Sequence, residues 1–269
     1  MSKVIIGIHG RSNKPDKQTL TKWWKQSIEE GLLKNQSSSL GNVDFEMVYY
    51  ADIYYHTPVS NKENKEPYRE AESGTLQRYE KRIIDRIRKY VGNWLDKPLD
   101  WLEEQHYIFS RLAASILKIF LKDLSDYYHD TKSTEKVKNR LKDLIIERQH
   151  DDIILVYHSM GSIIAYDVLI ELQQDEDYKD IKIEHFITLG SPLGLTPVKG
   201  HILGFHKGNN YKGNLKTPSC VTKNWINFSD PQDYVCLDSH LADDFADNSF
   251  SVKVKDIMVC NDYPNNQHK

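Results

Sequence analysis

The stretch that most constrains this chain runs from residue 153 to residue 172. Ile153 to Tyr157 is a continuous apolar run of strand length, and after His158-Ser159-Met160-Gly161-Ser162 a second apolar run, Ile163 to Leu172, reads as a helix. A strand apolar on both faces belongs inside a parallel sheet, whose strands are joined by helical crossovers. The same alternation recurs along the chain. Val4 to His9 is a β-branched run ending at Gly10, and Leu20, Trp23, Trp24, Ile28, Leu32 and Leu33 recur at helical spacing between Lys17 and Lys34. Phe45 to Ala51 returns to strand-like residues. A helix from Ser133 to about Gln149 carries Val137, Leu141, Leu144 and Ile145, and Ile183 to Leu189, Trp225 to Phe228 and Val252 to Val259 read as further strands. The expectation is an α/β fold with a doubly wound, mostly parallel sheet of about six or more strands, its site at the carboxyl ends of the strands.

The 269 residues fit one α/β domain carrying a helical insertion at about 58–130, where long charged helical stretches replace core strands. Within it, His106 to Tyr128 carries a broad apolar stripe that includes Phe109, Leu112, Ile116, Phe120 and Leu124. Arg111, Lys118, Lys122 and Asp123 interrupt the stripe and argue against a membrane span. A helix packed on the domain, a lid over an apolar pocket, and a membrane-surface or dimer contact all fit that pattern. The net charge of −3 gives no general reason to bind nucleic acid, and the basic run Lys81, Arg82, Arg86, Arg88, Lys89 reads as a solvated helix face. Cys220, Cys236 and Cys260 have no metal-ligand spacing, so no metal is expected, and none of the chemistry expected of the chain needs a cofactor. Their odd number and the absence of an export signal before Val4 point to a reducing, cytoplasmic setting.

Tyr157-His158-Ser159-Met160-Gly161-Ser162 lies where a buried strand turns into a helix, the context in which a sharp turn lifts a serine hydroxyl above the sheet. The bland alternative is an ordinary turn with a helix-capping serine. Tyr157 departs from the G-x-S-x-G pattern, occupying the place of its first glycine, and so needs room or an altered backbone. His9-Gly10-Arg11-Ser12-Asn13-Lys14-Pro15 follows the first strand, where a loop N–H joins that of the residue after the serine to hold a developing oxyanion. Met160 and Arg11 are the candidate donors, with Gly10 and His158 beside the substrate. A serine nucleophile needs a histidine base, and the base needs a carboxylate. Asp230 and Asp233 both follow a strand; His268 follows the last strand, with His240 in reserve. His201 and His206 lie in a Gly/Lys/Asn-rich stretch expected to be a mobile loop.

The segment His158 to Leu169, together with His9 to Pro15, resembles bacterial α/β-hydrolases. Leu189-Gly190-Ser191-Pro192-Leu193-Gly194 and Asn227 to Val235 resemble lipases and DDHD-type phospholipases. The resemblance implies an α/β-hydrolase fold and selects Asp233 as the acid. It implies a serine esterase acting on a small-molecule or lipid ester through an acyl-enzyme. A non-catalytic binding module retaining the fold is the alternative, motivated by Tyr157 and the near-terminal His268. The resemblance is silent on the insertion and therefore on the substrate.

Overall fold

The structure is a computed structural model that describes residues 2–60, 63–64, 67–70, 120, 122, 124–207, 215–230, 233, 235 and 238–261. Most of the expected insertion, including most of the His106 to Tyr128 stripe, lies outside these residues, as does His268; Phe120, Leu124 and Tyr127 at the end of that stripe are buried in the core.

Six strands form one sheet, all parallel: β1 (Lys3–Ile8), β2 (Asp44–Val48), β3 (Asp152–His158), β4 (Ile183–Leu189), β5 (Val221–Ser229) and β6 (Val254–Met258). Their order across the sheet is β2-β1-β3-β4-β5-β6. Helices α1 (Lys17–Gln36), α2 (Ala51–Tyr54), α3 (Thr131–Glu147), α4 (Met160–Gln174) and α5 (Thr196–Lys207) flank it. The chain builds outward from β1 to β2, then returns to the other side of β1 and continues through β3 to β6. The order therefore reverses between β1 and β3, and the crevice outside their carboxyl ends is the place where such sheets bind ligands.

The central strands are apolar because both faces are covered: Val4, Ile6 and Ile8 of β1 and Ile153, Leu155 and Tyr157 of β3 have no exposed surface. Helix α4 is buried along almost its whole length and packs on the sheet and on α3. Helix α3 is amphipathic: it buries Val137, Leu141 and Ile145 and sends most of its charges outward. Its one buried cation, Lys138, is held by Glu135 at 2.6 Å and by Glu171 of α4 at 2.7 Å. Asp130 caps this helix by accepting the Ser133 amide, as Asp16 caps α1 by accepting that of Thr19.

Two expectations are corrected. The second strand ends at Val48, and Tyr49 to Ala51 are not strand: the chain turns there into α2, and the buried Tyr50 amide leaves the ladder to bond the His9 ring. His201 and His206 lie on α5, not in a loop, because Val198 and Ile202 recur at helical spacing and bury against the core. The His201 ring stacks on Tyr128 with centroids 4.1 Å apart. Among the described residues no helix is long and apolar enough to cross a membrane.

Candidate active site

Ser159 stands between the last residue of β3 and the first of α4, with φ 53° and ψ −126°. This backbone region is sparsely populated for a residue with a side chain and persists only where its surroundings hold it. The holding bonds are visible. The Ser159 amide donates to the Leu189 carbonyl of β4 at 2.9 Å, and the Ser159 carbonyl accepts from the Ser162 amide at 2.9 Å and the Ser162 hydroxyl at 2.5 Å. The Ser162 hydroxyl also meets that of Ser191, at 2.8 Å, in the loop after β4. The turn is thus tied to its own helix and to the neighbouring strand.

The Ser159 hydroxyl does not cap α4, which removes the bland alternative. Gly161 is required by packing: a β carbon there would stand 2.9 Å from the main-chain oxygens of Ile8 and His9, so the helix start lies directly against the end of β1. Tyr157 is accommodated without an altered backbone. It keeps regular pairing with Ile8 and Thr188, and its buried ring turns edge-on to Phe186 at 5.4 Å. With this strain absent, one motive for the binding-module alternative is gone.

The loop after β1 comes to the same place. A β carbon on Gly10 would lie 2.9 Å from Nδ1 of His158 and 3.0 Å from Cβ of Ser159, so only a glycine backbone fits there. His9, 1% exposed, stacks on Tyr50 and accepts the Tyr50 amide through Nε2 at 3.0 Å. Nδ1 therefore carries the proton and donates to the Gly10 carbonyl at 2.6 Å. Burial pushes the imidazole pKa down to about 3, so the ring is neutral. The Gly10–Arg11 peptide is trans, so fixing the Gly10 carbonyl toward His9 aims the Arg11 N–H the opposite way. The sequence places His9 at the end of a strand and the start of this loop but does not signal its bond to Tyr50, 41 residues away.

Contacts fasten this loop to residues at both ends of the expected insertion. Asn13 donates to the Thr57 carbonyl at 2.9 Å, and the Lys14 carbonyl accepts the Val59 amide at 2.9 Å. The Arg11 guanidinium lies 3.4 Å from Asp126 and over the Tyr54 ring.

Both candidate acids sit at the carboxyl end of β5. Asp233, 2% exposed, accepts the Val235 amide through Oδ1 at 2.8 Å. Asp230, 6% exposed, accepts the Asn261 amide through Oδ2 at 2.7 Å. Behind them the buried Asn227 accepts from the Thr188 hydroxyl and donates to Ser229, the Ser239 carbonyl and Asp256. Asp256 in turn accepts the amides of Leu241 and Ala242. This network anchors the far end of the acid loop. The reserve base, His240, is exposed, and its ring meets the Ser239 hydroxyl at 3.3 Å.

Among the described residues, Asp238, Asp243 and Asp244 have carboxylates close enough together to share a cation. Lys199 of α5 meets that charge already, 2.6 Å from Asp244 and 3.7 Å from Asp238.

A sequence model of the lecithin:cholesterol acyltransferase family, a lipase family of α/β-hydrolase type, matches residues 114–211. The fold is of the α/β-hydrolase type. The matched segment holds α3, β3, the Ser159 turn, α4, β4 and all of α5, so the similarity to this lipase-type family is centred on the strained serine. No curated protein matches the chain. In hydrolase-fold terms, Ser159 and the His9-Gly10-Arg11 loop flank the crevice where the strand order reverses, and Asp230 and Asp233 leave the sheet two strands further on.

Proposed function

We propose that the chain is a serine hydrolase cleaving a carboxylic ester or thioester, with lipid-like esters as the substrate class suggested by the lipase-type family similarity. The observation that carries this reading is the backbone of Ser159. A non-glycine residue held at φ 53° and ψ −126°, its hydroxyl not spent on the helix it begins, is a cost that a structural turn does not require.

The chemistry follows from the groups around it. Ser159 Oγ attacks the ester carbonyl carbon while His268 takes its proton, and Asp233 orients His268 and stabilises its cation. The carbonyl oxygen gains negative charge and is met by the N–H groups of Met160 and Arg11. The first is a helix-start donor without an intrahelical acceptor, and the second is oriented by the His9–Gly10 bond. The carbonyl-to-leaving-group bond breaks, and the alcohol or thiol departs with the proton from His268. Water then repeats the sequence on the acyl-enzyme and frees Ser159. A hydroxyl acceptor in place of that water gives acyl transfer by the same steps. His268 is preferred to His240, whose ring is exposed while the carboxylate it would have to meet is buried. Gly10 and His158 border the acyl group. The stripe from His106 to Tyr128 is a candidate for delivery of substrate from a lipid surface.

The test is labelling with a fluorophosphonate probe, the adduct located by mass spectrometry, for wild type and for Ser159→Ala, Asp233→Asn and His268→Ala. Modification confined to Ser159 and lost in all three variants supports the assignment. A folded wild type that does not label favours a binding module instead.

A further inference from the structure

Two buried aspartates stand three residues apart at the end of β5, and the reaction uses one of them. The other, Asp230, holds two segments of chain at once. Its main-chain carbonyl accepts the Asp233 amide at 2.9 Å, closing the turn that presents Asp233. Its carboxylate accepts the Asn261 amide at 2.7 Å, across 31 residues of sequence.

β5 and β6 are in register up to Ser229 and Met258, and the Val259 amide still donates to the Ser229 carbonyl at 2.9 Å. The Asp230 carboxylate adds a side-chain acceptor beyond these pairs, for the Asn261 amide, and so ties the end of β5 to the chain just after β6. A carboxylate this deeply buried needs strong donors, and its bond to a backbone N–H is charge-assisted.

We infer that Asp230 is a positioning residue that ties the turn presenting Asp233 to the chain just after β6, so that one residue holds the acid turn against the edge of the sheet. The inference rests on the reading of Ser159, Asp233 and His268 given above. The turn from Asp230 to Asp233 sets where the Asp233 carboxylate stands. Catalysis is sensitive to that placement, since a displacement of about 1 Å costs on the order of 10²-fold in rate.

The experiment compares Asp230→Asn, Asp230→Ala and Asp233→Asn with wild type in ester hydrolysis and fluorophosphonate labelling across pH, with amide hydrogen exchange at Cys260 and Asn261. Asp230→Asn keeps an oxygen that accepts the Asn261 amide; it is expected to retain activity within about threefold and to leave exchange unchanged. Asp230→Ala is expected to lower kcat on the order of 10- to 100-fold with KM little changed, and to speed exchange at Asn261. Asp233→Asn is expected to lower kcat on the order of 10⁴-fold without changing that exchange. If Asp230→Ala does not fold, the Asn variant still decides. Asp230→Asn as inactive as Asp233→Asn makes Asp230 itself the acid and overturns the inference, and so does Asp230→Ala with wild-type kinetics. A folded wild type with no serine reactivity takes down the hydrolase reading and this one together, whereas a reactive wild type with indifferent Asp230 variants takes down this one alone.

Discussion

A β carbon placed on Gly161 would stand 2.9 Å from the carbonyl oxygen of His9. The start of the helix that follows the serine and the end of the first strand are therefore in backbone contact, and the two N–H groups proposed to hold the oxyanion are set by one packing distance. Gly161→Ala must push α4 away from β1, since the obstructing atoms include two main-chain oxygens that cannot swing aside. The expected cost is about 1–3 kcal/mol of stability, with a larger proportional loss of serine reactivity. Urea denaturation and probe labelling measure the two; a variant equal to wild type in both would mean that the close approach is not needed.

Ser159 stores backbone strain, and strain at a reactive residue is released when function is given up. Ser159→Gly relieves the positive φ and is expected to gain about 1 kcal/mol, the net of roughly 1–3 kcal/mol of strain against glycine's extra entropy in the unfolded chain. Ser159→Ala keeps its β carbon and the strain, and should change stability little. Neither variant reacts with the probe. Equal stability of the two under urea would mean that the conformation costs no more than glycine's extra entropy, roughly 0.5–1 kcal/mol.

The buried His9 makes stability depend on pH. Folding lowers its pKa from the ordinary 6.5 to about 3, so below pH 6.5 the unfolded chain takes up a proton that the folded chain refuses. Its contribution is complete above pH 6.5 and is lost as pH falls toward 3, at about 1.4 kcal/mol per unit. Between pH 6.5 and 5 the wild type should lose about 2 kcal/mol from this residue, and His9→Gln should lack that loss. Parallel pH dependences of the two unfolding free energies would contradict the assignment.

Asp238 acts with the opposite sign. Burial, with the charges of Asp244 and Asp243 beside it, raises its pKa to about 6, while the His240 amide and Lys199 partly offset the rise. The folded chain binds this proton more tightly than the unfolded chain, so the ionised carboxylate costs stability above pH 6, and the cost fades as pH falls to the usual carboxylate range. Asp238→Asn should therefore raise Tm at pH 8 and leave it unchanged at pH 4. A Tm shift of the same size at both pH values would show that the variant acts through packing against Gly194, which lies against Asp238, rather than through charge.

Local periodicity made much of the fold legible. The strand Ile183–Leu189 begins and ends where its apolar run does, α3 follows the spacing of its buried residues, and α1 covers its expected apolar stripe although only Leu20 of it is buried. The strand-to-helix step around Ser159 was visible from run lengths instead, a five-residue apolar run and a ten-residue one on either side of His158 to Ser162. The ends of elements were less legible. Tyr49 to Ala51 look like strand, yet the chain leaves the sheet at Val48 because the Tyr50 amide is claimed by His9. The stretch holding His201 and His206 looks like a loop from its glycines and lysines, yet burial of Val198 and Ile202 makes it a helix.

The sequence by itself determined an α/β fold of about six parallel strands and a serine poised between a strand and a helix, because these depend on residues adjacent in the chain. Only the tertiary structure decided that β3 lies beside β1, and so that Gly10 meets Ser159, that Tyr50 fixes the tautomer of His9, and that Asp230 reaches Asn261. Each of those contacts joins residues tens to more than a hundred positions apart. Which distant donor meets which acceptor is set by the order of strands across the sheet and by packing between layers, and neither leaves a period in the sequence.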